Sequence, residues 1–157
     1  MPQPQAAEFT IAEARRALGE AFAPWVLELG LSIDAIECAP PPGATAEWQP
    51  GALLRMTFSE RLCRQGGIVC GQALMSLADT AMVFAVSATA GSYLPMTTVD
   101  QTMHFLRPAI RSDLLAEARV VRLGRTMAFG SVSIRTEDDA RPVALAQIAY
   151  ALMRDNK

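Results

Sequence analysis

The stretch "QGGIVCGQALMSLADTAMVFAV", from Gln65 to Val86, carries one charged side chain, Asp79. The next charges are Arg64 before it and Asp100 after it. From Gly71 to Thr80 it has no β-branched cluster and holds the helix formers Gln, Ala, Leu and Met. It reads as a helix from about Cys70 to Ala90, closed by Gly91 and Pro95. At about 1.5 Å per residue this helix spans roughly 30 Å. Because it is apolar nearly all round, it must be buried on most sides. That requirement restricts the chain to folds in which other elements surround one long helix.

The flanking sequence supplies strands. "LSIDAIECA" (Leu31–Ala39) and "ALLRMTF" (Ala52–Phe58) precede the helix, separated by the turn-rich loop Pro40–Gly51. Thr97–Phe105, Leu114–Leu123, Met127–Arg135 and Val143–Met153 follow it. Gly124-Arg125 and Glu137–Arg141 are the hairpin turns between the last three. Upstream, Thr10 and Glu13 have capping-box spacing, and Ile11, Ala14, Leu18 and Phe22 recur at helical intervals until Pro24. Strands that follow one another without intervening helices make an antiparallel sheet. The expected fold is α+β: a six-stranded antiparallel sheet wrapped around one long helix. It forms a single domain over residues 1–157, with residues 1–26 an N-terminal helical segment.

Composition removes several functions. The net charge of −2 argues against binding to nucleic acid or an anionic membrane, although a local group of arginines could still hold a phosphate. Cys38, Cys63 and Cys70 have no metal-ligand spacing, so no metal site is expected, and unpaired thiols suit the cytoplasm. No basic n-region opens the chain, and no uninterrupted apolar run reaches the roughly 18 residues of a membrane span.

Asp79 then needs an explanation. On a helical wheel it shares a stripe with Met75, Ser76, Met82, Val83 and Val86, and no Lys, Arg or His lies within a turn or two. An ionised carboxylate buried without a partner costs several kcal/mol. Such a group is a candidate general base or nucleophile. Gly66, Gly67 and Gly71 place accessible N–H groups at the positive end of the helix dipole, the geometry of an oxyanion hole. The expectation is that the Gly71 N–H and the Asp79 carboxylate face neighbouring sides of one cleft.

"GGIVCGQALMSLADTAM", "TVDQTMHFLRP" (Thr98–Pro108) and "LLAEARVVRLGRTMAFGSVSI" (Leu114–Ile134) together resemble the phenylacetate-degradation-type (PaaI-like) acyl-CoA thioesterases of the hotdog superfamily. The resemblance covers most of the chain from about Leu27. It implies hydrolysis of an acyl-CoA thioester, with coenzyme A entering as part of the substrate and no separate cofactor. It implies Asp79 as the acidic residue that activates water or attacks the carbonyl. Gly71 supplies the polarising N–H, and Thr80 helps place the attacking water from the partner subunit. The family motif His-Gly-Gly reads Cys70-Gly71-Gln72 here, so no imidazole stands beside the thioester. Gln65 falls near the position of a substrate-orienting amide. The expected assembly is a homodimer joined sheet edge to sheet edge, pairing again into a dimer of dimers, with the site between subunits.

The remaining expected substrate contacts are Cys70, Gln72, Met75, Met82 and Val83, with Arg107 and Arg125 for the CoA phosphates. Met103 and Met127 could also line an acyl pocket or simply fill the core. Arg119 and Arg122 lie near strand ends as well. His104, the sole histidine, shares a strand face with Thr102 and Leu106, away from Met103 and Phe105. It reads as structural or exposed. Two alternatives to hydrolysis remain: a non-catalytic binder of acyl-CoA or another apolar ligand, and a hydratase of the same fold.

Overall fold

The computed structural model describes residues 8–153. Residues 1–7 of the expected N-terminal segment lie outside these. Helix α1 (Ile11–Ala21) starts at a full capping box: the Glu13 amide donates to Thr10 Oγ1, and Glu13 Oε2 accepts from the Thr10 amide at 2.8 Å. Pro24 does more than end α1. It stands first in a short helix, α2 (Pro24–Leu27), where its missing N–H costs nothing.

The strands β1 (Leu31–Glu37) and β2 (Gly51–Met56) come next. A 3₁₀ turn at Glu60–Leu62 leads into a small hairpin, β3 (Cys63–Arg64) and β4 (Ile68–Val69). The sequence shows no sign of this hairpin, because two-residue strands carry no periodicity. Gly66 (φ 93°) and Gly67 (φ 71°) form its turn in left-handed backbone that side chains avoid. The long helix α3 runs Gly71–Ala90, with Cys70 as N-cap and Gly91 closing it at φ 79°. Strands β5 (Met96–Phe105), β6 (Leu114–Leu123), β7 (Met127–Thr136) and β8 (Asp139–Leu152) complete the chain.

All six long strands join one antiparallel sheet in the order β1-β2-β6-β7-β8-β5. β8 starts earlier than its sequence pattern shows, because a two-residue turn at Glu137-Asp138 pairs Thr136 directly with Asp139. The sheet packs on α3, chiefly through β6, β2 and β7. Leu77, Ala78, Ala81, Met82, Phe84, Ala85 and Val86 of the helix are completely shielded. Phe22, just past α1, stacks on Phe84 at 5.6 Å and covers the C-terminal half of α3. The six-stranded sheet around one long helix is the expected architecture.

One expectation needs correction. With 20 residues and a mean hydropathy of 1.5 over its most apolar 18, α3 is long and apolar enough to cross a membrane despite Asp79. Burial of 72% of its most apolar segment identifies it as the core helix of this fold.

Candidate active site

The hydroxyls of α3 turn inward on their own helix. Ser76, Thr80, Ser87 and Thr89 each donate to the carbonyl four residues earlier, at 2.8 to 3.0 Å. Among the half-buried or buried polar side chains of α3, only Asp79 bonds outside the helix. Its carboxylate meets no cation among the described residues. Thr98 of β5 donates to Oδ1 at 2.9 Å, and the Tyr150 hydroxyl of β8 donates to the same oxygen at 2.6 Å. Thr98 and Tyr150 are direct partners across the β5–β8 ladder, so one pair of strands aims both donors. Tyr150 is 1% exposed. Burial first, then the adjacent Asp79 charge, pushes its phenol far above the usual tyrosine value, so it remains a donor.

Asp79 is half-buried and belongs to a partly open stripe with Gln72, Met75 and Ser76, on the N-terminal half of α3. The rest of its expected stripe is not open. Met82, Val83 and Val86 are buried in the core, with Met82 against Gly130 of β7. Of the methionines expected to line an acyl pocket, Met75 is exposed, while Met103 packs on the core from its edge.

The helix start is a separate place within one chain. The Cys70 amide is used by the Leu62 carbonyl at 2.8 Å. The Gly71 and Gln72 amides have no acceptor among the described residues. The Phe105 ring lies over Gly71, so close that a Cβ there would stand 3.2 Å from the ring. A cavity of about 540 Å³ opens at this point, lined by Gly71, Ile68, Leu74 and Phe105 with the guanidinium-bearing Arg64 and Arg107. A polar hollow of about 420 Å³ adjoins it through Arg64 and adds Gln65, Gly66, Gly67 and Arg111. Arg107 is steadied by donation to the Pro142 carbonyl at 2.7 Å.

This geometry corrects several sequence-based placements. Eight residues separate Gly71 from Asp79, about 12 Å along a helix, and Asp79 does not line the cavity at Gly71. They do not share a cleft within one chain. Thr80 is 3% exposed with its hydroxyl on Ser76, so the hydroxyl beside the carboxylate is that of Thr98. Gly66 and Gly67 shape the preceding hairpin rather than the helix start. Arg125 follows β6, at the end of the sheet where Thr126 bonds Leu152 and Leu152 pairs with Met96. Arg107 is at the opposite end, beside Val143, and of these two arginines it is the one that lines the cavity at Gly71. Arg119 is occupied by Glu37 and Glu117. His104 is exposed and lines a groove on the outer sheet face with Glu117 and Arg119. It is exposed as expected, and the sheet stands between it and the helix start.

Sequence reading missed Thr98, Tyr150, Arg64 and Arg111. A signal existed for Tyr150. It shares the inward period-two face of β8 with Ala144, Ala146 and Ile148, where a polar tip needs a partner. Among the described residues, no three His, Cys, Asp or Glu side chains gather as a metal site.

Comparison with known proteins agrees with this architecture. The family model described as "Thioesterase superfamily" matches residues 66–143. A Halobacterium salinarum protein, provisionally described as an esterase, is 34% identical over 113 residues, which is 66% of this chain and 74% of that protein. A solved structure from Silicibacter sp. TM1040, provisionally described as a thioesterase, superposes with a TM-score of 0.74 at 29% identity, covering 96% of this chain and 97% of that one. The E. coli PaaI protein from the phenylacetic acid degradation operon shares the fold, with a TM-score of 0.72 over 92% of this chain and 96% of its own, at 22% identity. The matched segment holds the open helix start, Asp79 and Thr98, and on these grounds the chain belongs to the thioesterase superfamily of hotdog proteins.

Proposed function

We propose that this protein hydrolyses acyl-CoA thioesters to the free acid and CoA, in the manner of PaaI-type enzymes, at a site shared by two subunits. The observation that carries the reading is Asp79: a carboxylate on the open stripe of an otherwise apolar core helix, held by two hydroxyls and, among the described residues, by no cation. It serves as general base toward water or as nucleophile on the thioester carbonyl. The unpaired Gly71 N–H, at the positive end of the helix dipole, stabilises the developing oxyanion.

β5 explains why two subunits are needed. Its outer edge is unpaired among the described residues, and Val99 on it is 59% exposed. One end of β5 holds Thr98 at Asp79, and the other lays Phe105 over Gly71. Antiparallel pairing of β5 with its twin brings the Thr98 end of one strand to the Phe105 end of the other. Asp79 of one subunit then faces the helix start of its partner, and the gap of about 12 Å within a chain no longer matters. Pairing of two such dimers gives the tetramer.

Substrate contacts divide by chemistry. Arg64 and Arg107 flank the cavity and suit the phosphates of CoA, with Arg111 in the adjoining hollow. Gln65 in the adjoining hollow and Gln72, next to Gly71 on the open stripe, offer amides to the substrate, and Met75 offers apolar surface beside Asp79. The reaction needs no cofactor. Three free thiols suit action in the cytosol.

A panel of acyl-CoA thioesters with a thiol-reactive dye tests the reading. Asp79→Asn and Asp79→Ala are expected to lower kcat at least about a hundredfold with the fold retained. Near-normal turnover in either variant refutes the assignment. Saturable acyl-CoA binding without thiol release by the wild type supports a binding protein instead.

A further inference from the structure

We propose that Tyr150 is a positioning residue for hydrolysis: its hydroxyl, together with that of Thr98, immobilises Asp79 Oδ1 and leaves Oδ2 as the oxygen presented to water or substrate. The inference rests on the reading of Asp79 given above and assigns separate roles to its two oxygens. Both hydroxyls donate to Oδ1, at 2.6 Å from Tyr150 and 2.9 Å from Thr98. Oδ2 has no hydrogen-bond partner among the described residues. The terminal torsion of an aspartate is soft and roughly two-fold, so an unanchored carboxylate exchanges its oxygens. Two donors on one oxygen stop that exchange, because turning the group sacrifices both bonds.

Tyr150 fits this task better than a role in packing alone. A buried phenol needs one acceptor, and the Asp79 main-chain carbonyl, 2.7 Å away, would suffice. The reach to Oδ1 is additional. The 2.6 Å separation is that of a hydroxyl donating to a charged oxygen. The same hydroxyl can turn to the carbonyl when the carboxylate is neutral, so it has an acceptor in both protonation states. As general base, Asp79 takes a water proton on Oδ2 while the water oxygen bonds to the thioester carbon. When the C–S bond breaks, that proton passes to the departing sulfur. As nucleophile, Oδ2 forms the bond to carbon itself while the C–S bond breaks and CoA leaves as a thiolate that takes a proton from solvent; water then hydrolyses the anhydride, which releases the acid and restores the carboxylate. Either route needs that oxygen aimed, and misaiming by about 1 Å can cost on the order of a hundredfold in rate.

The test is Tyr150→Phe, which keeps the ring and deletes the hydroxyl, assayed by thiol release on the best substrate of the panel. The expected result is a kcat lowered about tenfold or more with KM within about twofold, since the phenol touches the carboxylate and not the substrate. When Asp79→Asn is already present, the same change is expected to have no further effect. Unchanged kcat, a parallel rise in KM, or an equal loss on top of Asp79→Asn overturns the proposal. If Tyr150→Phe does not fold, Thr98→Val on the exposed edge strand deletes the other donor to Oδ1 and keeps the side chain's shape. It is expected to lower kcat at nearly constant KM and to add nothing to Asp79→Asn, and wild-type kcat overturns the proposal. Failure of the underlying reading looks different: the wild type releases no thiol, or Asp79→Asn stays active. A wild-type enzyme that needs Asp79 but is indifferent to the hydroxyl of Tyr150 removes this inference alone.

Discussion

At the scale of the residue, Gly71 carries two separable demands. It supplies an N–H at the helix start, and it leaves room for the Phe105 ring, which a Cβ would approach to 3.2 Å. Proline separates them. It is well tolerated at the first position of a helix, and the extended backbone of Cys70 (φ −70°, ψ 153°) is what a residue before proline requires. Gly71→Pro removes the donor, whereas Gly71→Ala keeps it and crowds a ring that is half exposed and free to shift. If this amide stabilises the oxyanion, Gly71→Pro loses about a hundredfold in kcat relative to Gly71→Ala, with similar melting temperatures. Equal activity of the two, read by thiol release, assigns the oxyanion to another donor. Asp79 and Gly71 could be singled out in the sequence because each breaks a local pattern, a charge in an apolar run and a glycine at a helix start. Thr98 and Tyr150 break none. A threonine and a tyrosine are ordinary strand residues, and only the β5–β8 register sets them opposite each other. The role of Thr80 comes from the family resemblance alone, and the residues of the chain itself do not show that a hydroxyl across the ladder, that of Thr98, stands nearer the carboxylate.

At the scale of the element, helix α3 was legible almost to the residue. Its apolar length, its glycine stop and its propensities all agree. The long strands were legible to within a few residues. The β3–β4 hairpin and the early start of β8 were not, since pairing rather than pattern defines them. The helix can lie close to the sheet because β7 omits a side chain at Gly130. A Cβ there would fall on the Met82 side chain and within 2.6 Å of the Arg119 carbonyl. Met82 is fully buried and has little room to retreat, and the Arg119 carbonyl is part of the β6 ladder. Gly130→Ala is therefore expected to destabilise the fold by about 1–3 kcal/mol through overpacking, measured by denaturant unfolding. An unchanged midpoint means that α3 and β7 are not as tightly apposed as described. This also accounts for Met82: a methionine that reads as a flexible pocket wall is committed to the helix–sheet contact.

At the scale of the whole molecule, one chain presents two half-sites. The helix start has the free amides, the arginines and the cavity. The middle of the helix has the carboxylate with its two hydroxyls. The sequence alone suggests Gly71 and Asp79 on one cleft, because the wheel shows direction around a helix and hides distance along it. In the proposed dimer, pairing at the free edge of β5 is what would reunite the halves. The most direct measurement is subunit complementation. Asp79→Ala and Gly71→Pro proteins, each inactive alone, are mixed under conditions that exchange subunits, and the mixed dimer is verified by native mass spectrometry. Random exchange leaves about half the dimers mixed, each with one site whose carboxylate and amide are both intact, so about a quarter of wild-type activity should return. Verified mixed dimers that release no thiol would contradict a site built from the carboxylate of one subunit and the helix start of the other.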